Sequence, residues 1–136
     1  MLYSGKHDQS IMGVRSGDYD DIATDDIVVI TAGAPQQPGQ TRLELLEVNV
    51  DIMRDIVQNI RKNDAEPFIV VVSNPVDVLT YVALKESGLP KHRVMGTGTT
   101  LDTARLKSHL ADRLDVNSRD IDAYILGEHG DSSFST

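Results

Sequence analysis

Two short β-branched blocks, Ile27-Val28-Val29-Ile30 and Phe68-Ile69-Val70-Val71-Val72-Ser73, stand out along the chain. Each is too short for a helix and apolar without alternation, which predicts strands buried on both faces of a parallel sheet. Between them Leu43, Leu46, Val50, Met53, Val57 and Ile60 recur in steps of three and four, predicting one long amphipathic helix. It should end near Lys62-Asn63, because Pro67 blocks continuation. Asn74-Pro75 breaks the second strand, and Val76 to about Glu86 predicts a helix closed by Gly88. Val94-Met95-Gly96 follows as a short strand, then a helix from Thr99 to Leu114 with Leu106, Leu110 and Leu114 on one side. Ile121 to Leu126 is the last predicted strand. Residues 1–17 and the stretch 33–40 carry turn and loop chemistry. Strand–helix alternation of this kind predicts wound βαβ units on a largely parallel sheet. Four strand ends should then converge on one crevice, where α/β sheets hold their ligands.

Composition adds limits. The chain has 136 residues, 21 acidic and 13 basic, giving a formal net charge of −8. That balance argues against nucleic acid or an anionic membrane face as partner. The absence of cysteine excludes disulfides, thiolate metal ligands and a cysteine nucleophile. No apolar run approaches the roughly 18 residues that span a bilayer. The first ten residues, MLYSGKHDQS, have no apolar core of a secretory signal, so a soluble cytoplasmic protein is expected.

Four places could carry chemistry. His129 lies in Gly127-Glu128-His129-Gly130-Asp131, where flanking glycines let the backbone approach a ligand. Imidazole exchanges a proton near neutral pH. It is one of four histidines, with His7, His92 and His109, so alone it says little. Asp102 and Arg105 stand three apart on a predicted helix. They can be an ordinary surface ion pair. They can also act separately, Asp102 orienting a histidine while Arg105 forks onto a carboxylate. Arg42 begins a helix, against the macrodipole, which hints at an anionic neighbour. Asn74, ahead of Pro75, can present its amide into the crevice, although Asn-Pro is also a plain turn starter.

Taken together these runs resemble a known family. Ile-Thr-Ala-Gly-Ala-Pro-Gln-Gln-Pro-Gly-Gln-Thr-Arg (30–42), Val-Val-Ser-Asn-Pro-Val-Asp-Val-Leu-Thr-Tyr (71–81), Gly-Thr-Gly-Thr-Thr-Leu-Asp-Thr-Ala-Arg (96–105) and Gly-Glu-His-Gly-Asp-Ser (127–132) closely resemble the bacterial-type, NAD-dependent L-lactate dehydrogenases. These belong to a superfamily shared with malate dehydrogenases. The resemblance runs from Gly17 to the end of the chain. It implies reversible hydride transfer between NADH and pyruvate, giving L-lactate in fermentative glycolysis, by a homotetramer. It implies that His129 is the acid/base, that Asp102 is the carboxylate favouring its imidazolium form, and that Arg105 grips the substrate carboxylate. Arg42 matches the arginine on a mobile loop that polarises the carbonyl. Asn74 matches a contact to cofactor and substrate, and Ala32, Gly33 and Val72 match the lining of the NAD crevice. Gln36, six before Arg42, is glutamine in lactate enzymes and arginine in malate enzymes, so pyruvate is the expected substrate. Related L-2-hydroxy acid dehydrogenases of hydroxyisocaproate or malate type are the alternative.

The departures matter as much. The resemblance implies a Rossmann-type, doubly wound α/β sheet, yet the G-x-G-x-x-G turn and the acidic residue about 20 positions beyond it are absent. Gly96-Thr97-Gly98 lies elsewhere in the pattern. Residues 1–98 are therefore read as the later part of the NAD-binding domain and residues 99–136 as the start of the substrate domain. The first βαβ unit and most of the substrate domain are therefore expected to lie outside this sequence. A fragment is expected, inactive alone and prone to aggregate through uncovered edges. The other reading is a non-enzymatic remnant or interaction module. Many relatives respond to fructose 1,6-bisphosphate through an arginine and a histidine. The matching places hold Lys107 and Asp122, and Asp122 repels a bisphosphate, so activation is not expected.

Overall fold

A computed structural model describes residues 13–136. The loop expected at the start of the chain, with His7, therefore lies mostly outside the described residues. Three strands, β1 (Ile27–Ile30), β2 (Phe68–Val71) and β3 (Val94–Gly96), form a parallel sheet in the order β1-β2-β3. The helices α1 (Arg42–Ile60) and α2 (Val76–Ser87) supply the two crossovers, and α3 (Thr100–Leu114) follows β3. Gly88 closes α2 in the left-handed region at φ 64, the position its sequence predicted.

The register pairs Val28 with Ile69 and Ile30 with Val71, and sets Val94 beside Ile69. These residues point to one face, where Met53, Val57 and Ile60 of α1 and Val76, Leu79 and Ala83 of α2 bury them. Each large side chain fully withdrawn from water contributes about 1.5–3 kcal/mol of transfer free energy. The opposite face stays open, with Ile27 70% and Val29 56% exposed. This corrects the expectation of strands buried on both faces. Right-handed crossovers taken in strict strand order put both helices on the same side, while on the other Phe68 and Val70 are half-buried, with the Arg93 guanidinium 4.8 Å over the Phe68 ring. Leu43, expected on the apolar stripe of α1, is likewise exposed, because the first turn of the helix runs beyond the sheet.

The predicted fourth parallel strand is also corrected. Only Ile125–Leu126 form a strand, β4, and it pairs antiparallel with β5 (Phe134–Ser135), which the sequence did not suggest. The Ile125 N–H donates to the Thr103 hydroxyl at 3.0 Å, and the Ile125 carbonyl accepts from the Thr99 hydroxyl at 2.6 Å. With its main chain taken up by α3, this segment cannot join the main sheet.

At the start of α1, the Thr41 hydroxyl accepts from the Glu44 N–H at 3.2 Å, and the Glu44 carboxylate accepts from the Thr41 N–H at 2.8 Å. This reciprocal cap satisfies two otherwise unpaired helix-end donors. The Thr41 N–H and hydroxyl hold the Glu44 carboxyl below the ordinary glutamate range. Thr41→Ala is expected to cost about 1 kcal/mol, read as a lower urea midpoint at unchanged slope. A carboxyl with a depressed folded value stabilises fully above the unfolded value and loses that contribution as pH falls through the folded one. The stability difference between the native chain and Glu44→Gln should therefore shrink on acidification through that range.

Candidate active site

The carboxyl ends of β1 and β2 and the loop between β4 and β5 meet at one cleft of about 660 Å³, lined by Gln36, Leu45, Leu46, Asn74, Pro75 and His129 among others. Each arrives by a different route. Gln36 belongs to the long turn after β1, where its side-chain amide donates to the Gln40 carbonyl at 2.9 Å. Asn74 follows β2 at a cis Asn74–Pro75 bond. His129 sits in the loop that joins the β4–β5 ribbon, whose first residue, Gly127, turns at φ 94, a value only glycine adopts without strain.

The His129 Nδ1 lies 2.7 Å from an Asp102 carboxylate oxygen. Asp102 comes from the first turn of α3, and its side chain is 28% exposed against 34% for His129, so the pair is partly shielded from water. Arg105 extends from the same helix with its guanidinium 3.8 Å from the other Asp102 oxygen. That is too long for a hydrogen bond, and the side chain is 65% exposed. The guanidinium is thus largely uncommitted and able to fork onto a carboxylate. Asp102 thus makes a loose ion pair with Arg105 and directs its shorter contact to the histidine.

Ala32, Gly33 and Val72 lie exposed at the carboxyl ends of β1 and β2. The Val72 N–H donates to the Ile30 carbonyl at 2.9 Å and the Ser73 hydroxyl to the Ala32 carbonyl at 2.6 Å, so the two strand ends form a single ledge. A Cβ at Gly33 would stand 3.4 Å from the Asn49 carboxamide oxygen, so the ledge is kept low there. Arg42 is the first residue of α1, and its side chain lies outside the described portion of the molecule. At the remaining positions singled out by sequence, Lys107 stands 4.7 Å over the Tyr124 ring. The Asp122 carboxylate beside the Tyr124 hydroxyl pushes that phenol above its ordinary value.

Sequence reasoning missed three contributors. Asn49 is 4% exposed, and its carboxamide accepts from the Ala34 N–H at 2.7 Å and donates to the Asn74 carbonyl at 3.4 Å. A signal existed, since Asn49 is a polar residue on the apolar side of α1, between Leu46 and Met53. Asp77, in the first turn of α2, accepts the His129 N–H at 3.0 Å. Thr103 holds β4, and nothing local in the sequence pointed to either residue.

Comparison with known proteins agrees with this geometry. Residues 5–96 match the family profile of the lactate/malate dehydrogenase NAD binding domain, and residues 99–136 match that of the lactate/malate dehydrogenase alpha/beta C-terminal domain. The chain therefore belongs to the lactate/malate dehydrogenase family. It is 56% identical to L-lactate dehydrogenase 2 of Enterococcus faecalis over 91% of its own length and 39% of the relative's. With the L-lactate dehydrogenase of Borrelia turicatae it shares 52% identity, over 90% and 39% of the two chains. Among solved structures, a lactate dehydrogenase from a Medee basin deep-sea metagenome library superposes with a TM-score of 0.88. That match has 50% identity and covers 91% of this chain and 40% of the other. The malate dehydrogenase of Picrophilus torridus gives 0.81 at 37% identity, over 87% and 36%. The chain thus spans about 39% of the length of the curated relatives it matches. Among the described residues no helix is long and apolar enough to cross a membrane.

Thr103→Val keeps the shape of the side chain and leaves the half-buried Ile125 N–H without its partner, a loss of about 1 kcal/mol. Amide exchange at Ile125 should accelerate accordingly, with exchange at Val57 in the core unchanged.

Proposed function

We propose that this chain is the central part of an NAD-dependent L-lactate dehydrogenase reducing pyruvate. Residues 1–98 would belong to its NAD-binding domain and residues 99–136 to its substrate domain. The observation that carries the reading is the 2.7 Å pairing of His129 with Asp102 at a cleft that also holds Gln36 and Asn74. With Nδ1 engaged by Asp102, the other ring nitrogen is left to exchange a proton with the substrate oxygen. Asp102 fixes the ring's orientation through its contact with Nδ1. Arg105 receives the substrate carboxylate in a bidentate fork, and Arg42 is assigned the polarisation of the carbonyl. Asn74, Ala32, Gly33 and Val72 would hold the nicotinamide end of NAD on the strand-end ledge. Bound there, NADH supplies the hydride. The arrangement needs the substrate carbon beside that ledge and its oxygen within hydrogen-bond reach of the imidazole. A cytoplasmic homotetramer in fermentative glycolysis is the setting proposed for the whole enzyme.

Gln36 favours pyruvate over oxaloacetate, because a neutral amide at the cleft accepts a methyl group where an arginine would pair with a second carboxylate. Lys107 and Asp122, placed around Tyr124, leave no cationic pair for a sugar bisphosphate, so that effector should not change the Michaelis constant.

The chain completed at both ends with the flanking segments of the Enterococcus faecalis relative provides the test. It should oxidise NADH with pyruvate, and His129→Gln should lower kcat by about 10²–10⁴-fold. A completed chain that folds and binds NADH yet shows no such turnover would sink the proposal. In the same protein, Gln36→Arg should shift kcat/KM from pyruvate toward oxaloacetate, and an unchanged ratio would remove Gln36 from its role.

A further inference from the structure

Two carboxylates hold His129, and the functional reading uses only one of them. Asp102 meets the imidazole at 2.7 Å. Asp77 meets the main chain instead, accepting the His129 N–H at 3.0 Å across 52 residues of sequence. An acid in the first turn of a helix is favourable by itself, since the helix dipole places positive charge there. That does not account for an oxygen seated on the amide of one distant residue.

The surroundings of Asp77 give the contact its meaning. Asp77 lies three residues after Asn74, on the turn that opens α2. The carbonyl of Asn74 is in turn gripped by Asn49 from α1. The His129 loop has its other anchors on α3 and the residue that caps it, through Thr99 and Thr103 at Ile125 and through Asp102 at the ring. All three of those attachments come from the 99–136 segment to itself. Asp77 is the hydrogen bond from the sheet-bearing segment to the histidine. A ring held at Nδ1 alone follows α3 wherever that helix moves, so its distance from the strand-end ledge is not set by Asp102.

We infer that Asp77 is a positioning residue, a strut that fixes the main chain of the proton donor against the turn carrying Asn74 and so sets its distance from the reacting carbonyl. This rests on the lactate dehydrogenase reading of the site. A donor displaced by about 1 Å can lose on the order of a hundredfold in rate without losing its substrate. Asp77 therefore acts through His129 and touches neither substrate nor cofactor.

The experiment uses the completed chain described above, with Asp77→Ala and Asp77→Asn. The asparagine amide oxygen can accept the same N–H, while its lost charge removes the helix-end effect. For Asp77→Ala, kcat with pyruvate should fall about 10- to 100-fold, with the KM values for pyruvate and NADH within about twofold. Exchange at the His129 amide, measured by NMR or in a peptide spanning the loop, should accelerate at least about tenfold. Asp77→Asn should restore both kcat and amide protection to within about threefold of the parent. Should Asp77→Ala fail to fold, Asp77→Ser, whose arm is too short to reach the loop in the same way, carries the comparison.

Unchanged protection of the His129 amide in the alanine or serine variant would overturn the proposal. Lost protection with unchanged kcat would overturn it too, by making the contact merely structural. An asparagine variant as impaired as alanine would mean that charge, and not position, is what Asp77 supplies. A completed chain without activity, but with the amide protected in the parent and freed in Asp77→Ala, would sink the functional reading and leave the strut standing.

Discussion

Right-handed connection of strands in simple sequential order is the constraint from which the rest of this structure follows. It sends α1 and α2 to one face of the sheet and brings the turns after β1 and β2 to one edge. Packing of Ile30, Ile69 and Val71 against Met53, Val57 and Leu79 makes that edge a firm platform, because close-packed side chains deform little. A site assembled from separate turns needs such a base, since each turn is exposed and has little core of its own.

On that platform the chemistry is divided among elements that do not share a backbone. The His129 ring stands on a ribbon loop, its partner carboxylate on α3, and the polar rim of the cleft on the turns after β1 and β2. The Asp102–His129 pair is only partly shielded, its side chains 28% and 34% exposed. The acidic balance of the chain is no obstacle to an anionic substrate. In the proposed reading the local guanidinium of Arg105 would decide that contact, because at moderate salt the distant carboxylates are screened.

Much of this was legible in the sequence. Blocks of β-branched residues gave β1 to the residue and β2 to within two, and the three-and-four spacing gave α1, because both signals report local burial on a period the backbone imposes, while the Asn74-Pro75 break and Gly88 bounded α2. Asp102 and His129 could be paired only through resemblance, since their 27-residue separation has no local signature. What failed was tertiary in origin. Ile121 to Leu126 has strand-forming residues, but threonine side chains from α3 occupy the main chain of Ile125. Whether both faces of β1 are covered depends on what lies beside it, which a run of valines and isoleucines does not state. Asp77 escaped notice because its partner is a backbone amide, and backbone amides carry no residue type.

Asn49 has a consequence for any attempt to transplant this site. One carboxamide serves as acceptor to the Ala34 N–H and donor to the Asn74 carbonyl. A carboxylate of equal length would keep the first role and lose the second, and an aliphatic side chain would abandon both. The turn after β1 is consequently no interchangeable cassette. A grafted loop that arrived without the helix residue beneath it would fold onto a neighbour unable to recognise it, and the turn after β2 would lose its register in the same step.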